Sequence, residues 1–476
     1  MENVLPTIEG MVNSVNDFLW GYILMYALVG IGIFFTIYLG APQFIRFGPA
    51  CRQVFGRLYK GAKPPGSDGE NSISSFQALA VAISAQVGTG NVAGVATAIV
   101  AGGPGAIFWM WVSAMFGMAT IFSEAILAQH YREDVKGQFV GGPAFYISKG
   151  LKHILGPHTA NFLAYFFSIA IIVALGFIGC MVQSNSIASS INSAFGFNPL
   201  YIGILIAIVA GLIFIGGIQR IALFAQLVVP FMAVLYIACA IIILFEFSDQ
   251  ILPTIQYIFQ GAFNPEAIGG GVLGVSMKEA IRYGVARGLF SNEAGMGSTP
   301  HAHATALVLH PVLQGFVAFI GVFFDTVIVC SATALIILLT NSHELGLSGA
   351  LVTQEAFSTA FGSIGPAIIA LCLTFFAFTT VIGWYYFGES NIRFLFKQKS
   401  AAIPVYRILV LLFIVLGATG KVDLVWNLSD MFNGIMVIPN LIALILLRKE
   451  IKSILKHYDE SRQDGPPSYE YPELNK

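Results

Sequence analysis

The sequence predicts an all-α polytopic membrane protein of eleven spans, built as two inverted five-helix halves behind one extra N-terminal helix. Three observations carry this. Apolar runs near the roughly 20 residues needed to cross a bilayer recur along the chain. Of the 476 residues, 56% are hydrophobic and only 10% charged, against about a quarter charged in a soluble domain. Two of the apolar runs are also broken by glycines and amides, at matching places in two halves of the chain.

The expected spans are 19–40, 73–101, 104–130, 160–184, 199–217, 221–246, 273–305, 312–340, 365–394, 403–419 and 422–447, with an interfacial stretch at 250–262 and an amphipathic piece at 349–361. This divides the chain into an N-terminal tail and leading helix (1–40), a basic cytoplasmic loop (41–72), a first repeat (73–246), a second repeat (247–447) and a cytoplasmic tail (448–476). Lys and Arg cluster at 46–63, 132–152, Arg220, 393–407 and beyond 447, which eleven spans place on one side. By the positive-inside rule that side is cytoplasmic, with the N-terminus outside. Only Lys421 sits clearly in an external loop, and Lys278, Arg282 and Arg287 fall within the seventh span. No cleavable signal peptide is evident, since Glu2 and Glu9 stand where a basic n-region belongs. Cys51, Cys180, Cys239, Cys330 and Cys372 are scattered singly and read as inert thiols.

The first break is Ser84-Ala85-Gln86-Val87-Gly88-Thr89-Gly90-Asn91. An unwound turn in hydrocarbon leaves backbone groups that lipid cannot satisfy, so it belongs against a polar cavity. Glycine packing explains Gly90 and Gly94 but not Gln86 and Asn91 beside them. Gly88 to Ala93 also fits a dinucleotide fingerprint, but no strand precedes it and no acid follows about 20 residues on. The half-helix starting near Thr89 to Asn91 offers amide N–H groups to a carboxylate, and the one ending near Ser84 to Val87 offers carbonyls to a bare cation. The second break, Gly288 to Ser298, opens the second half, so the two form the inverted pair that marks a midplane transport site. There Ser291 or Asn292 is expected to cap the inner half-helix, with Glu293 either in its first turn or facing a substrate ammonium.

Other polar residues are open to two readings. Thr379 and Thr380 precede Trp384 by about one turn, and either hydroxyl can simply bond back to its own helix. Trp109 and Trp111 suit an interfacial aromatic belt. Glu124 is expected to pair with Arg132 or another base near the helix end, and Asp325 to tie the eighth span to the breaks or touch a cation. Lys278, Glu279 and Arg282 suit a vestibule network. His301 and His303 are two apart, wrong for a shared metal. Pro466-Pro467-Ser468-Tyr469 looks like a recognition motif for a WW domain, with plain disorder the simpler expectation.

Gly102-Gly103-Pro104-Gly105-Ala106-Ile107-Phe108-Trp109-Met110-Trp111-Val112-Ser113-Ala114-Met115-Phe116-Gly117-Met118-Ala119-Thr120 resembles the signature of the sodium:alanine symporter family. The Gly88 to Asn91, Gly141 to Tyr146 and Ser291 to Ser298 segments are similar to that family too. The resemblance implies a LeuT-type fold with an extra leading helix and sodium-coupled uptake of alanine or glycine. It implies that sodium meets the carbonyls of Ser84, Val87 and Phe376 and the hydroxyls of Thr379 and Thr380. It puts Gln86, Thr89, Gly90 and Asn91 around the substrate carboxylate, with Phe290, Ser291, Asn292 and Trp384 lining the rest. Glutamine or serine as substrate, or proton coupling, is the alternative. A channel would need a continuous polar pore and would show no accumulation against a gradient, and an intramembrane enzyme would need a catalytic set, of which no Ser–His–Asp set, H-E-x-x-H or paired mid-depth aspartates is found. Partners are the lipid bilayer and the amino acid, with no nucleic acid and no obligate protein partner evident. The location expected is the plasma membrane, the inner membrane of a prokaryotic cell.

Overall fold

The computed structural model describes residues 4–60, 73–135, 138–263, 277–397, 401–420, 422–462 and 466–471. Lys63, Lys136, Lys399, Lys421 and Lys476, part of the charge argument, lie outside them, as do the end of the basic loop and the start of the seventh span. The described chain is helical apart from one antiparallel pair, β1 (Glu133–Val135) with β2 (Gln138–Val140), a departure from the all-α expectation.

The leading helix α1 runs through Val4–Phe18, a π-helical turn at Leu19–Leu24, and Met25–Tyr38. Helix α2 (Ser75–Gln86) starts on a capping box, Ser74 accepting from the Gln77 amide while the Gln77 side chain accepts from Ser74, which satisfies two orphan donors at once. It stops because Val87 turns extended (φ −81°, ψ 90°). Helix α3 (Gly90–Gly102) resumes at 47° to it. Then follow α4 (Gly105–His130), α5 (Pro157–Phe195), α6 (Pro199–Phe214) and α7 (Gly217–Glu246). Proline opens α5 and α6, where its missing N–H costs nothing, and Asn198 caps α6 by accepting from Leu200 N at 3.0 Å.

The chain continues in helices. Helix α8 (Met277–Asn292) breaks off before the short α9 (Pro300–Ala304), and α10 (Pro311–Leu339), α11 (Gly365–Leu395), α12 (Ala402–Thr419) and α13 (Val422–Leu446) follow. Helix α14 (Arg448–Ser461) lies beyond the last apolar run. The 250–262 stretch forms the helix Ile251–Phe263, and the amphipathic piece forms Ala350–Phe361.

Among the described residues, eight helices are long and apolar enough to cross a membrane, and the bent α2–α3 pair makes nine. The other two expected spans fall on α6, with 16 residues, and on α8 with α9, whose charges lower its hydropathy. Helix α4 packs along α8 and α10, α5 along α11 and α12, and α2 against α7 and α11. The periphery is α12, 28% buried, whereas α10 is 67% buried. Leu205, Leu227, Phe245 and Leu412 turn outward, an apolar surface that suits lipid. The 466–471 tail packs against the body instead of being disordered, because its tyrosines find ring and hydrogen-bond partners there.

Candidate functional site

The two breaks meet face to face. A Cβ on Gly90 would lie 3.0 Å from Ser291 Cα, so only glycine allows this approach. Gln86 Nε2 donates to Asn292 O at 2.7 Å, a direct tie between the breaks. The second break turns through Glu293, Gly295 and Gly297, all at positive φ (59°, 87° and 79°).

At the first break, four of the five residues expected around sodium converge. Thr380 Oγ1 lies 2.9 Å from Ser84 O, 3.4 Å from Val87 O and 3.0 Å from Phe376 O. Two hydroxyl protons, of Thr379 and Thr380, serve three carbonyls, so acceptors remain in excess, and a cation with hard oxygen preference fits that imbalance. The carbonyls of Ser84 and Val87 lie there because α2 ends at this point and leaves its last C=O groups without helical partners. Thr379 stands slightly apart, donating to Phe376 O at 2.9 Å and reaching Met232 Sδ at 3.5 Å.

The side chains expected around a substrate are close by but unequally free. Asn91 has both amide ends engaged: Oδ1 accepts from Gly88 N at 2.9 Å, and Nδ2 donates to Asp325 Oδ1 at 2.6 Å. Ser291 donates to the same carboxylate at 3.0 Å, and Asn292 Nδ2 donates to Thr326 Oγ1 at 3.1 Å. Asp325 thus ties α10 to both breaks. Thr89 Oγ1 and Gln86 Oε1 are buried and find no hydrogen-bond partner among the described residues. Trp384 donates its indole N–H to Glu293 and meets Phe290 edge-on, ring centroids 6.0 Å apart. A Cβ on Gly179 would lie 2.5 Å from Trp384 Cε3, so the indole is wedged from behind.

Two expectations are corrected at the second break. Glu124 does not pair with Arg132. Its oxygens instead accept from Gly295 N and Gly297 N, each at 3.0 Å, and from Asn440 Nδ2 at 2.6 Å. Unwinding creates those free amides, and the carboxylate completes them, while Arg132 donates to Ala306 O at 2.6 Å. Ser291 and Asn292 do not cap the inner half-helix either. They end α8, where Asn292 Oδ1 accepts from Ala294 N at 3.0 Å, and Glu293 turns its carboxylate to Trp384 and to Ser298 Oγ (2.6 Å). Trp111 donates to Ser331 Oγ at 2.8 Å and so joins α4 to α10.

Two features escaped sequence reading. Gln183 of α5 accepts from Thr89 N at 3.2 Å, and nothing but its polarity in an apolar span marks it. Arg287 forms an ion pair with Asp430 (Nη1 to Oδ1 3.1 Å) and lies over Trp426, which packs on Phe290 at 5.2 Å. This layer separates the breaks from a cavity of about 480 Å³ lined by Asp17, Trp20, Arg282, Arg287, Trp426 and Asp430 among others. Arg282 reaches Asp17 of α1 at 2.5 Å there. No cluster of His, Cys, Asp and Glu that could hold a metal occurs among the described residues. His301 and His303 go separate ways, to Asn391 and Gln314. Of the five free cysteines, only Cys51 is partly exposed.

A polytopic helical body with paired helix breaks and a buried oxygen cluster between them is the architecture of a membrane transporter. Residues 5–471 match the sodium:alanine symporter family, and the chain belongs to it. It is therefore a sodium-coupled symporter, not an enzyme. It is 43% identical to the sodium/alanine symporter AgcS of Methanococcus maripaludis, over 95% of this chain and 98% of that one. It is 42% identical to the Bacillus subtilis protein named "Probable sodium/glutamine symporter GlnT", over 98% and 94%. It is also 42% identical to the amino-acid carrier protein AlsT of the same organism, over 96% and 93%.

Glu124 is open to a direct test. Glu124→Gln turns one acceptor into a donor facing amides, so stability should fall by about 1–3 kcal/mol, the range for an unsatisfied buried group. Thermal unfolding of the detergent-purified protein checks this, and an unchanged midpoint would contradict the role given to the carboxylate.

Proposed function

We propose that the chain carries alanine or glycine inward with sodium, by alternating access about the point where the two breaks meet. The observation that carries this is the set of three carbonyls, from Ser84, Val87 and Phe376, around the single Thr380 hydroxyl. Sodium takes that cluster, with Thr379 beside it. The amino acid lies among Gln86, Thr89, Gly90, Asn91, Phe290, Ser291, Asn292 and Trp384. The Thr89 hydroxyl is free to donate to its carboxylate. Gln86 Oε1, an unpaired acceptor, suits its ammonium. The Trp384 indole, wedged between Gly179 and Phe290, leaves room for a small side chain only.

The architecture we assign is LeuT-type, with eleven spans, α2–α3 and α8–α9 opening two inverted five-helix repeats. Two pairings support it: the second helices of the halves, α4 and α10, pack together, as do the third helices, α5 and α11. We place the N-terminus outside, the C-terminus in the cytoplasm, and the protein in the inner membrane of a prokaryotic cell. Glutamine is the second reading, favoured by a relative of nearly equal identity that carries that substrate's name.

Reconstituted vesicles should take up labelled alanine or glycine only with an inward sodium gradient. Equal uptake on a proton gradient in choline buffer would overturn sodium coupling, and stronger competition by glutamine than by glycine would favour the second reading. Thr380→Ala should raise the sodium concentration for half-maximal uptake by about fivefold, the effect of losing one polar contact of order 1 kcal/mol, while the ranking of competing amino acids stays the same. An unchanged sodium dependence would remove Thr380 from the ion site.

A further inference from the structure

The segment 466–471 lies on the body in a regular way. Pro467, Tyr469 and Tyr471 are half-buried, while Pro466, Ser468 and Glu470 are exposed. That is the two-residue alternation of an extended chain laid on a surface. The Tyr471 hydroxyl reaches Val308 O at 3.1 Å and Gln129 Oε1 at 3.3 Å. Its ring covers the Arg132 guanidinium at 4.1 Å, which Phe139 also meets at 4.0 Å. Burial pushes the Tyr471 phenol up to about 12 despite the nearby Arg132, so it docks as a neutral donor. The Tyr469 hydroxyl lies 2.6 Å from His130 Nδ1, and its ring packs on His310 (4.9 Å) and His457 (5.4 Å).

What this segment covers is the end of the molecule where the inner halves of both breaks finish. Ile73, just before α2, pairs with Ala306, just after α9, and Leu307 N donates to Ile73 O at 3.0 Å. Gln129 clamps the same junction, donating to His303 O (2.5 Å) and Ala306 O (3.0 Å), and Arg132 donates to Ala306 O and to Gln129 Oε1, both at 2.6 Å. Tyr471 therefore holds the two residues, Gln129 and Arg132, that hold the junction closed. Parting α2 from α9 at this end would require the Ile73–Ala306 pairing to break.

We propose that residues 466–471 are an intramolecular ligand, a Pro-x-Tyr-x-Tyr strap that docks on Gln129, His130, Arg132 and His310 and latches the ends of α2 and α9 together. The strap explains why a recognition-like motif stands in a short polar tail: its partner is this chain. Its release is a precondition for opening at this end, a statement that rests on the alternating-access reading above.

The test uses the full chain in detergent and reads conformation, not transport. Thr305, 3% exposed beside the junction, is changed to cysteine (Thr305→Cys) with Cys51→Ser removing the partly exposed native thiol. The rate of labelling by a bulky maleimide is then compared with and without Tyr471→Ala, and in a chain ending after residue 462. Both changes should speed labelling by about tenfold, the combined effect of one cation–π contact and one hydrogen bond. Tyr471→Phe, which keeps the ring on Arg132, should fall between. Hydrogen exchange at the Leu307 amide, measured without the reporter cysteine, should accelerate in parallel. Unchanged labelling and exchange in both Tyr471→Ala and the shortened chain would overturn the latch. Neither readout involves an amino acid or sodium, so a wrong substrate assignment leaves the result interpretable.

Discussion

Everything at the centre of this protein follows from one constraint: backbone groups freed by unwinding a helix at membrane depth must find partners inside the protein. The first break meets it with Asn91, whose Oδ1 takes Gly88 N, and with Gln183, which takes Thr89 N. The second meets it with Glu124, which takes Gly295 N and Gly297 N, and with Asn440, which donates to Gly295 O at 2.9 Å. The partners come from α3, α4, α5 and α13, so four helices fix the shape of two short turns. Asn440 in turn accepts from the Tyr146 hydroxyl, which extends the support one layer further out.

The satisfaction is uneven, and the unevenness is informative. Donors are well matched: Glu124, Asp325 and Glu293, all fully buried, accept from amides, hydroxyls and an indole N–H. Acceptors are not matched where α2 ends, since Ser84 O and Val87 O have only the Thr380 hydroxyl, which also reaches Phe376 O. Burying an acceptor without a donor costs about 1–3 kcal/mol, and a dehydrated cation removes that cost at several oxygens together. In the proposed ion site, a neutral ligand set would also avoid the desolvation that a buried carboxylate adds beside an ion.

The sequence made the breaks legible because glycines and amides stand out against apolar runs, and it made the convergence of Ser84, Val87 and Thr380 an expectation through resemblance alone. Helix placement was legible for the same reason, down to the helices at 251–263 and 350–361. What it hid are pairings across long sequence separations. Glu124 reads as a helix-end acid until its two amides are seen more than 170 residues away. Nothing in the sequence links Arg287 to Asp430, or Gln183 to the Thr89 amide. The tail read as disorder because composition cannot show that Tyr471 has a guanidinium to cover. Even the assignment of Ser291 and Asn292 as caps failed for a geometric reason: Glu293 adopts positive φ, so the chain turns away before a new helix can start on them.

Helix α11 is where the ion and the amino acid would be coupled. Thr380 and Trp384 are four residues apart and so lie on one face of α11, one turn from each other. Thr380 touches the end of α2, and Trp384 touches Glu293 at the turn after α8. In the proposed site, an ion at the first contact would draw α2 onto α11 and fix the register of the break that carries Gln86 and Thr89. An amino acid against Trp384 fixes Phe290 and the end of α8, which Gln86 already ties to the first break. Each ligand thus orders elements that the other must order, so whichever binds first lowers the cost for the second. By linkage the effect is mutual and equal in free energy, typically about 1–3 kcal/mol. A single rigid helix carrying one of the proposed contacts for each ligand would be enough to make sodium and substrate interdependent, without any direct contact between them.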